Sequence, residues 1–120
     1  MKKQIRMVVI NPETKTITEV MMEPTLSNYY ATICCQLVEA SYPRGLAAKD
    51  SFFYIDEEGR LSDNYYFTFE GQEYAGTAII IGGMFDEEES ETTVTVEEVE
   101  KQVEWTGEKE EGYGVFIEIY

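Results

Sequence analysis

The sequence lacks histidine altogether, and only nine of its 120 residues are lysine or arginine. Without an imidazole, every mechanism that needs histidine as a base, nucleophile or metal ligand is excluded. Twenty-four aspartate and glutamate residues outnumber the basic ones and give a formal net charge of −15. That charge repels DNA, RNA and anionic lipids, because their affinity for proteins rests mainly on lysine and arginine. We therefore expect no direct binding to nucleic acid and no binding to membranes.

Cysteine and long apolar segments are also scarce. The two cysteines, Cys34 and Cys35, are adjacent, and neighbouring residues do not readily adopt ordinary disulfide geometry, so we expect no disulfide scaffold. The apolar run after the basic N-terminus covers only residues 7–10, which is too short for a signal-peptide core. No window approaches the roughly 18–20 apolar residues of a membrane span. These features predict a cytoplasmic protein.

Signs of enzymatic chemistry are weak. The carboxylates of residues 56–58 and 63 lie in or near a predicted turn, where no cleft would give them different acidities. The dipeptide Gly82-Gly83 does not continue into a phosphate-binding or dinucleotide-binding pattern. The acidic run at residues 86–91 lacks the alternating ligands and the central glycine of a calcium loop. We predict a protein that is not an enzyme and that holds no cofactor and no specific metal site.

Apolar residues are spaced as in one α+β domain. Residues 26–37 show helical spacing behind Thr25 or Ser27 as an N-cap, and we expect the helix to end near Cys35 or Gln36. The capping-box pair Thr95 and Glu98 predicts a second helix, which reaches about Glu104. Strand patterns occupy residues 4–10, 16–22, 51–55, 65–69, 74–81 and 115–120.

The expected sheet is mainly antiparallel, with about five to seven strands and two helices packed on it. Residues 79–81 lack the polar alternation of a half-exposed strand, which predicts burial on both faces. Residues 37–42 fit either an extension of the first helix or a strand. We expect residues 1–105 to form a single domain, to which residues 106–120 add a C-terminal loop and strand.

The nine tyrosines exceed what a small core requires. The adjacent pairs at residues 29–30 and 65–66 must direct at least one ring away from the core. We expect cross-strand aromatic pairing to account for most of these rings. The alternative is a stacking pocket or a self-association surface, since tyrosine is favoured at interfaces. An unpaired edge at residues 115–120 would then favour a homodimer.

The excess charge is confined to the second half of the chain. Residues 1–55 hold six basic and five acidic side chains, a net of +1, whereas residues 56–120 hold three basic and nineteen acidic ones, a net of −16. A field of this strength steers association toward a basic partner, although charge runs more often serve only solubility. The candidate partner-binding residues are Asp86, Glu87, Glu88, Glu89, Glu91, Glu97, Glu98, Glu100 and Glu104.

The predicted second helix can be compared with a nucleic acid directly. Nine residues from position 96 to 104 would span about 14 Å at ~1.5 Å per residue. Its four glutamates would then lie about one per ~3.4 Å of axis, near the phosphate spacing of one DNA strand. Lys101 interrupts the row.

Several short motifs occur in an ordered string along residues 4–105. They include NPETK at residues 11–15, EPTL at 23–26, and DEEGRL at 56–61 followed by DNYYF at 63–67. This string resembles an uncharacterised family of small phage- and plasmid-encoded domains. The resemblance implies a mobile-element accessory protein in a bacterial cytoplasm, and it implies no catalytic residue.

Acidity and context together suggest a DNA mimic. On this hypothesis the acidic surface occupies the basic nucleic-acid groove of a host protein, as anti-restriction and anti-CRISPR inhibitors do. The alternatives are a small-molecule module for a nucleotide-type ligand and an oligomerising scaffold. A nucleotide would have to be met by Arg6, Arg44, Lys49 or Arg60.

Overall fold

The structure is a computed structural model that describes residues 3–61, 65–84 and 88–107. The predicted α+β class is confirmed, with eight strands in two antiparallel sheets and three short helices in the described residues. The strands therefore form two sheets of five and three strands instead of the one sheet expected, and there is one helix more than expected. The elements are β1 (Ile5–Asn11), β2 (Thr16–Met22), α1 (Leu26–Ile33), β3 (Val38–Ser41), α2 (Arg44–Ala47), β4 (Ser51–Asp56), a 3-10 turn (Gly59–Leu61), β5 (Tyr66–Phe69), β6 (Gln72–Ala75), β7 (Ala78–Gly82), α3 (Val96–Glu100) and β8 (Val103–Gly107).

The larger sheet has the strand order β2-β1-β7-β4-β3. Its central strand β7 is buried along its whole length, as the run of isoleucines predicts. Ile79 and Ile81 face a core that includes Tyr29 and Ile33 of α1. Ile80 faces the other core, on the side of the smaller sheet. The central strand is thus apolar on both faces because both faces are covered.

The smaller sheet has the order β6-β5-β8 and packs against the larger one. Phe53 of β4 meets Phe67, Phe69 and Tyr74 at ring-centroid distances of 5.0–6.1 Å. Phe67 and Tyr74 are directly opposite in the β5–β6 register, and their rings stack at 5.4 Å. The predicted cross-strand aromatic pairing is confirmed at this position.

The predicted strand over residues 74–81 is divided between the two sheets. Its first part lies in β6 and its second part in β7, and Gly76 between them has φ = 85°. Glycine adopts this positive φ without the steric cost that a Cβ imposes. The chain therefore leaves one sheet and enters the other at a glycine.

The structure shows which residue caps α1 and which conformation the segment after it adopts. Thr25 is the N-cap of α1, since its side chain accepts a hydrogen bond from the Asn28 N–H. The helix ends after Ile33, earlier than expected, because Cys34 takes a left-handed conformation (φ = 64°). Residues 38–41 then form a strand, which excludes the helical alternative.

The second predicted helix begins as expected but ends early. The capping box between Thr95 and Glu98 is present in α3, which is only five residues long. The prediction that it reaches Glu104 is wrong, because residues 103–107 form β8 and pair with β5. Val103 and Trp105 pack against the core at the two-residue period of a strand. Residues 108–120, with the predicted strand at 115–120, lie outside the described residues.

Candidate acidic binding surface

The segment that leads into α3 is anchored to β1 by an arginine. The Arg6 guanidinium donates from its Nη1 to the carbonyls of Thr92 and Val94, at 2.8 Å each. Its Nε lies 3.3 Å from the Glu19 carboxylate. One of the few cations of the protein is thus committed to holding this segment in place.

A buried polar contact fixes the same segment from the side of β4. The hydroxyls of Ser51 and Thr92 lie 2.7 Å apart, and the Thr92 hydroxyl also accepts a hydrogen bond from the Val94 N–H. Val94 and Val99 are buried in the core between the sheets. Helix α3 is short, and the burial of Val99 and the contacts of the segment before it fix its position.

The negative charge of Glu98 is compensated by a lysine of the same chain. Its carboxylate closes the capping box and also pairs with the Lys49 ammonium at 2.5 Å. The hydrogen bond from Lys49 is the main cause that lowers the pKa of Glu98, followed by the backbone hydrogen bond from Thr95. Since both side chains are 44% exposed, solvent screens this pair.

Glu97 and Glu100 are the uncompensated acids of α3. Both are exposed. Their three-residue spacing places them on neighbouring positions of the helix surface. Among the ion pairs of the described residues, no lysine or arginine lies within 4.0 Å of either carboxylate. Their charge is therefore free to act on a partner.

Glu104 is separate from the α3 acids. It lies on β8 opposite Thr68, whose partner on the other side is Glu73 of β6. Because Val103 and Trp105 face the core, Glu104 faces the outer side of the smaller sheet. The row of evenly spaced helical glutamates, and with it the match to DNA spacing over residues 96–104, is wrong.

The acidic connection before α3 contains one residue that serves the fold. Glu89 accepts a hydrogen bond from the Tyr29 hydroxyl at 2.6 Å and another from the Tyr54 hydroxyl at 2.5 Å. Residues 86–92 include no apolar residue, which predicts an exposed connection. This prediction is wrong at Glu89, which is half-buried, and at Thr92, which is buried. Glu88 and Glu91 are exposed, and the Glu91 carboxylate accepts from the Arg6 backbone N–H. Asp86 and Glu87 lie outside the described residues.

The two tyrosines that hold Glu89 are missed by sequence reasoning about the site. Tyr29 is only 1% exposed, and its ring lies 4.9 Å from that of Tyr54. Burial, and secondarily the Glu89 carboxylate, raises the pKa of both hydroxyls well above the ordinary tyrosine range. They remain protonated donors at neutral pH. The surplus of tyrosine is the only sequence signal that points to them.

The cations that a nucleotide would need are largely occupied. Arg6 holds the α3 segment, Lys49 pairs with Glu98, and Arg60 pairs with Glu73 at 3.1 Å. The cleft of about 460 Å³ between the β3–β4 pair and β6 is lined by five carboxylates and by Arg60. This lining opposes an anionic ligand.

Two further properties bear on the class of protein. Across the described ranges, no three or more acidic or cysteine side chains are arranged so that they could hold a metal ion. No helix within those ranges has the length and apolar character needed to cross a bilayer.

These features define a small α+β protein of two packed antiparallel sheets with an acidic helix at one side. Residues 5–107 match the family whose description is Domain of unknown function (DUF3846), and the chain belongs to that family. Comparison with curated proteins gave no match, and comparison with solved structures gave none either.

Proposed function

We propose that the protein is a non-enzymatic inhibitor that docks its acidic surface into the basic nucleic-acid groove of another protein. The observation that carries this proposal is the pair Glu97 and Glu100, which are exposed and form no ion pair with a lysine or arginine of the described residues. Placing like charges on a surface without compensation costs stability through repulsion. A basic partner that binds there would recover that cost.

The fold supports this use because the position of the helix does not depend on Glu97 or Glu100. Val99 is buried and the segment before α3 is pinned by Arg6 and Thr92. A rigid support lowers the entropy lost on binding. The acidic surface of the proposal consists of Glu97 and Glu100, with Glu98 beside them and Glu88 and Glu91 in the segment before α3, whereas Glu104 lies apart on β8. Glu89 is excluded, since its carboxylate is already bound.

The proposed partner is a defence protein of restriction or CRISPR type, or another nucleic-acid-handling protein. In this setting the chain acts as an accessory protein of a phage or plasmid in the bacterial cytoplasm. Contacts of this kind are ionic, so association should be fast and should weaken strongly with salt.

The test is capture of partners from bacterial lysate at low and at high salt. The double variant Glu97→Lys with Glu100→Lys should lose the salt-sensitive partner. The matched control is Glu57→Lys with Glu58→Lys, which changes the charge equally at two exposed positions after β4. A partner that survives reversal on α3, or whose capture does not change with salt, would contradict the proposal.

A further inference from the structure

A groove adjoins the acidic helix on the side of the first hairpin. It is lined by Lys15, Ile17, Glu100, Val103 and Trp105, and its volume is about 270 Å³. Pockets that enclose drug-sized ligands usually measure about 300–1,000 Å³. The groove is therefore suited to one long side chain.

The lining combines three apolar side chains with one carboxylate and the Lys15 side chain. Ile17, Val103 and Trp105 are partly buried and pack against the core between the sheets, so their positions are fixed. Glu100 is exposed at the end of α3, and within the described ranges no cation forms an ion pair with it. An aromatic ring beside a carboxylate attracts a guanidinium, which both stacks on aromatics and pairs with carboxylates.

We propose that this groove receives an arginine side chain of the basic partner. The aliphatic stem would lie along Ile17 and Val103, and the guanidinium would lie between the Trp105 indole and the Glu100 carboxylate. Arginine fits better than lysine because its planar, weakly hydrated head group stacks on an indole. The inference rests on the proposed function and adds to it a defined point of contact.

The Lys15 side chain would compete with the incoming arginine for the groove. Its side chain lines the groove and carries the charge that the incoming arginine also carries. Like charges this close disfavour each other, so removal of Lys15 should strengthen binding.

The probe is a hexa-arginine peptide, and the readout is the emission of Trp105, the single tryptophan of the chain. We expect a saturable change in emission, and a smaller one with hexa-lysine. Glu100→Gln should weaken binding about three- to fivefold, as the loss of one exposed ion pair does. Lys15→Ala should tighten it. The matched control is Glu39→Gln, which removes the same charge from β3 at the opposite edge of the larger sheet.

Three results would overturn the inference, and they are distinguishable. If titration calorimetry shows that the peptide binds and that Glu97→Lys weakens this binding, while Trp105 emission never changes, the groove is not the site but the proposal of an acidic binding surface is retained. If Glu100→Gln and Glu39→Gln weaken binding equally, only the net charge matters and the groove is again excluded. If hexa-arginine does not bind, the groove and the proposed function both fail.

Discussion

At the scale of single residues, the fold uses carboxylates in two different ways. Glu89 is held by the hydroxyls of Tyr29 and Tyr54, whereas the neighbouring Glu88 is exposed. Both belong to the same acidic run, so their charge alone does not tell them apart. The difference arises because α1 and β4 place two tyrosines over the larger sheet where Glu89 arrives.

The substitution Glu89→Gln should therefore destabilise the protein. The amide retains one acceptor oxygen, but its NH₂ group cannot accept a hydrogen bond, so one tyrosine hydroxyl loses its acceptor. We expect the free energy of unfolding in urea to fall by about 1–3 kcal/mol. Glu88→Gln is the matched control and should change it by less than about 0.5 kcal/mol. Equal effects of the two substitutions would contradict a structural role for the two tyrosine hydrogen bonds to Glu89.

The same two tyrosines predict a loss of stability in alkali. Their pKa values are raised in the folded protein, so the folded state keeps the phenolic protons after the unfolded chain has released them. Their contribution is complete below the unfolded pKa of about 10 and is lost as the pH rises above it. Urea unfolding at several pH values, with tyrosinate absorbance as a second readout, measures the effect. The double variant Tyr29→Phe with Tyr54→Phe should show a shallower loss, and an unchanged slope would contradict the assignment.

At the scale of elements, the sequence predicts where helices begin better than where helices and strands end. The capping box at Thr95 and the N-cap at Thr25 depend on neighbouring residues and were predictable. The end of α3 depends on pairing between β8 and β5, which are more than thirty residues apart. The division of one predicted strand at Gly76 likewise depends on a second sheet that local patterns do not reveal.

The capping box gives a prediction for α3. Thr95→Ala removes the acceptor of the Glu98 N–H and should cost about 1 kcal/mol in the free energy of unfolding. Thr93→Ala is the control, since Thr93 is exposed and precedes the cap. A melt in which both variants match the original protein would show that packing of Val99 alone holds the helix.

At the scale of the whole molecule, the net charge of −15 acts against the compact state. Added salt screens this repulsion, so the melting temperature should rise between low and moderate salt. The variant with glutamine at positions 97, 100 and 104 should melt higher at low salt and respond less to added salt. Thermal melts at several salt concentrations test this. A melting temperature independent of salt would mean that the net charge does not destabilise the folded state.

The candidate site could be predicted only in part from the sequence, because contacts between distant parts of the chain decide which acidic residues are paired. Composition predicts an acidic surface, and Glu97 and Glu100 are indeed exposed. Which acids are compensated depends on where Lys49 and Arg6 arrive in three dimensions. Trp105 and Ile17, which share a groove with Glu100, come from opposite ends of the chain.

The position of β7 at the centre of the larger sheet has a consequence for how the chain folds. β1 and β4 are not neighbours, and each instead pairs with β7, which lies later in the sequence than both. During synthesis about sixty residues must follow the N-terminal hairpin, which ends at Met22, before β7 is complete and can pair with the open side of β1. Long-range pairing of this kind slows folding. We expect the nascent protein to acquire its native core only after β7 has left the ribosome.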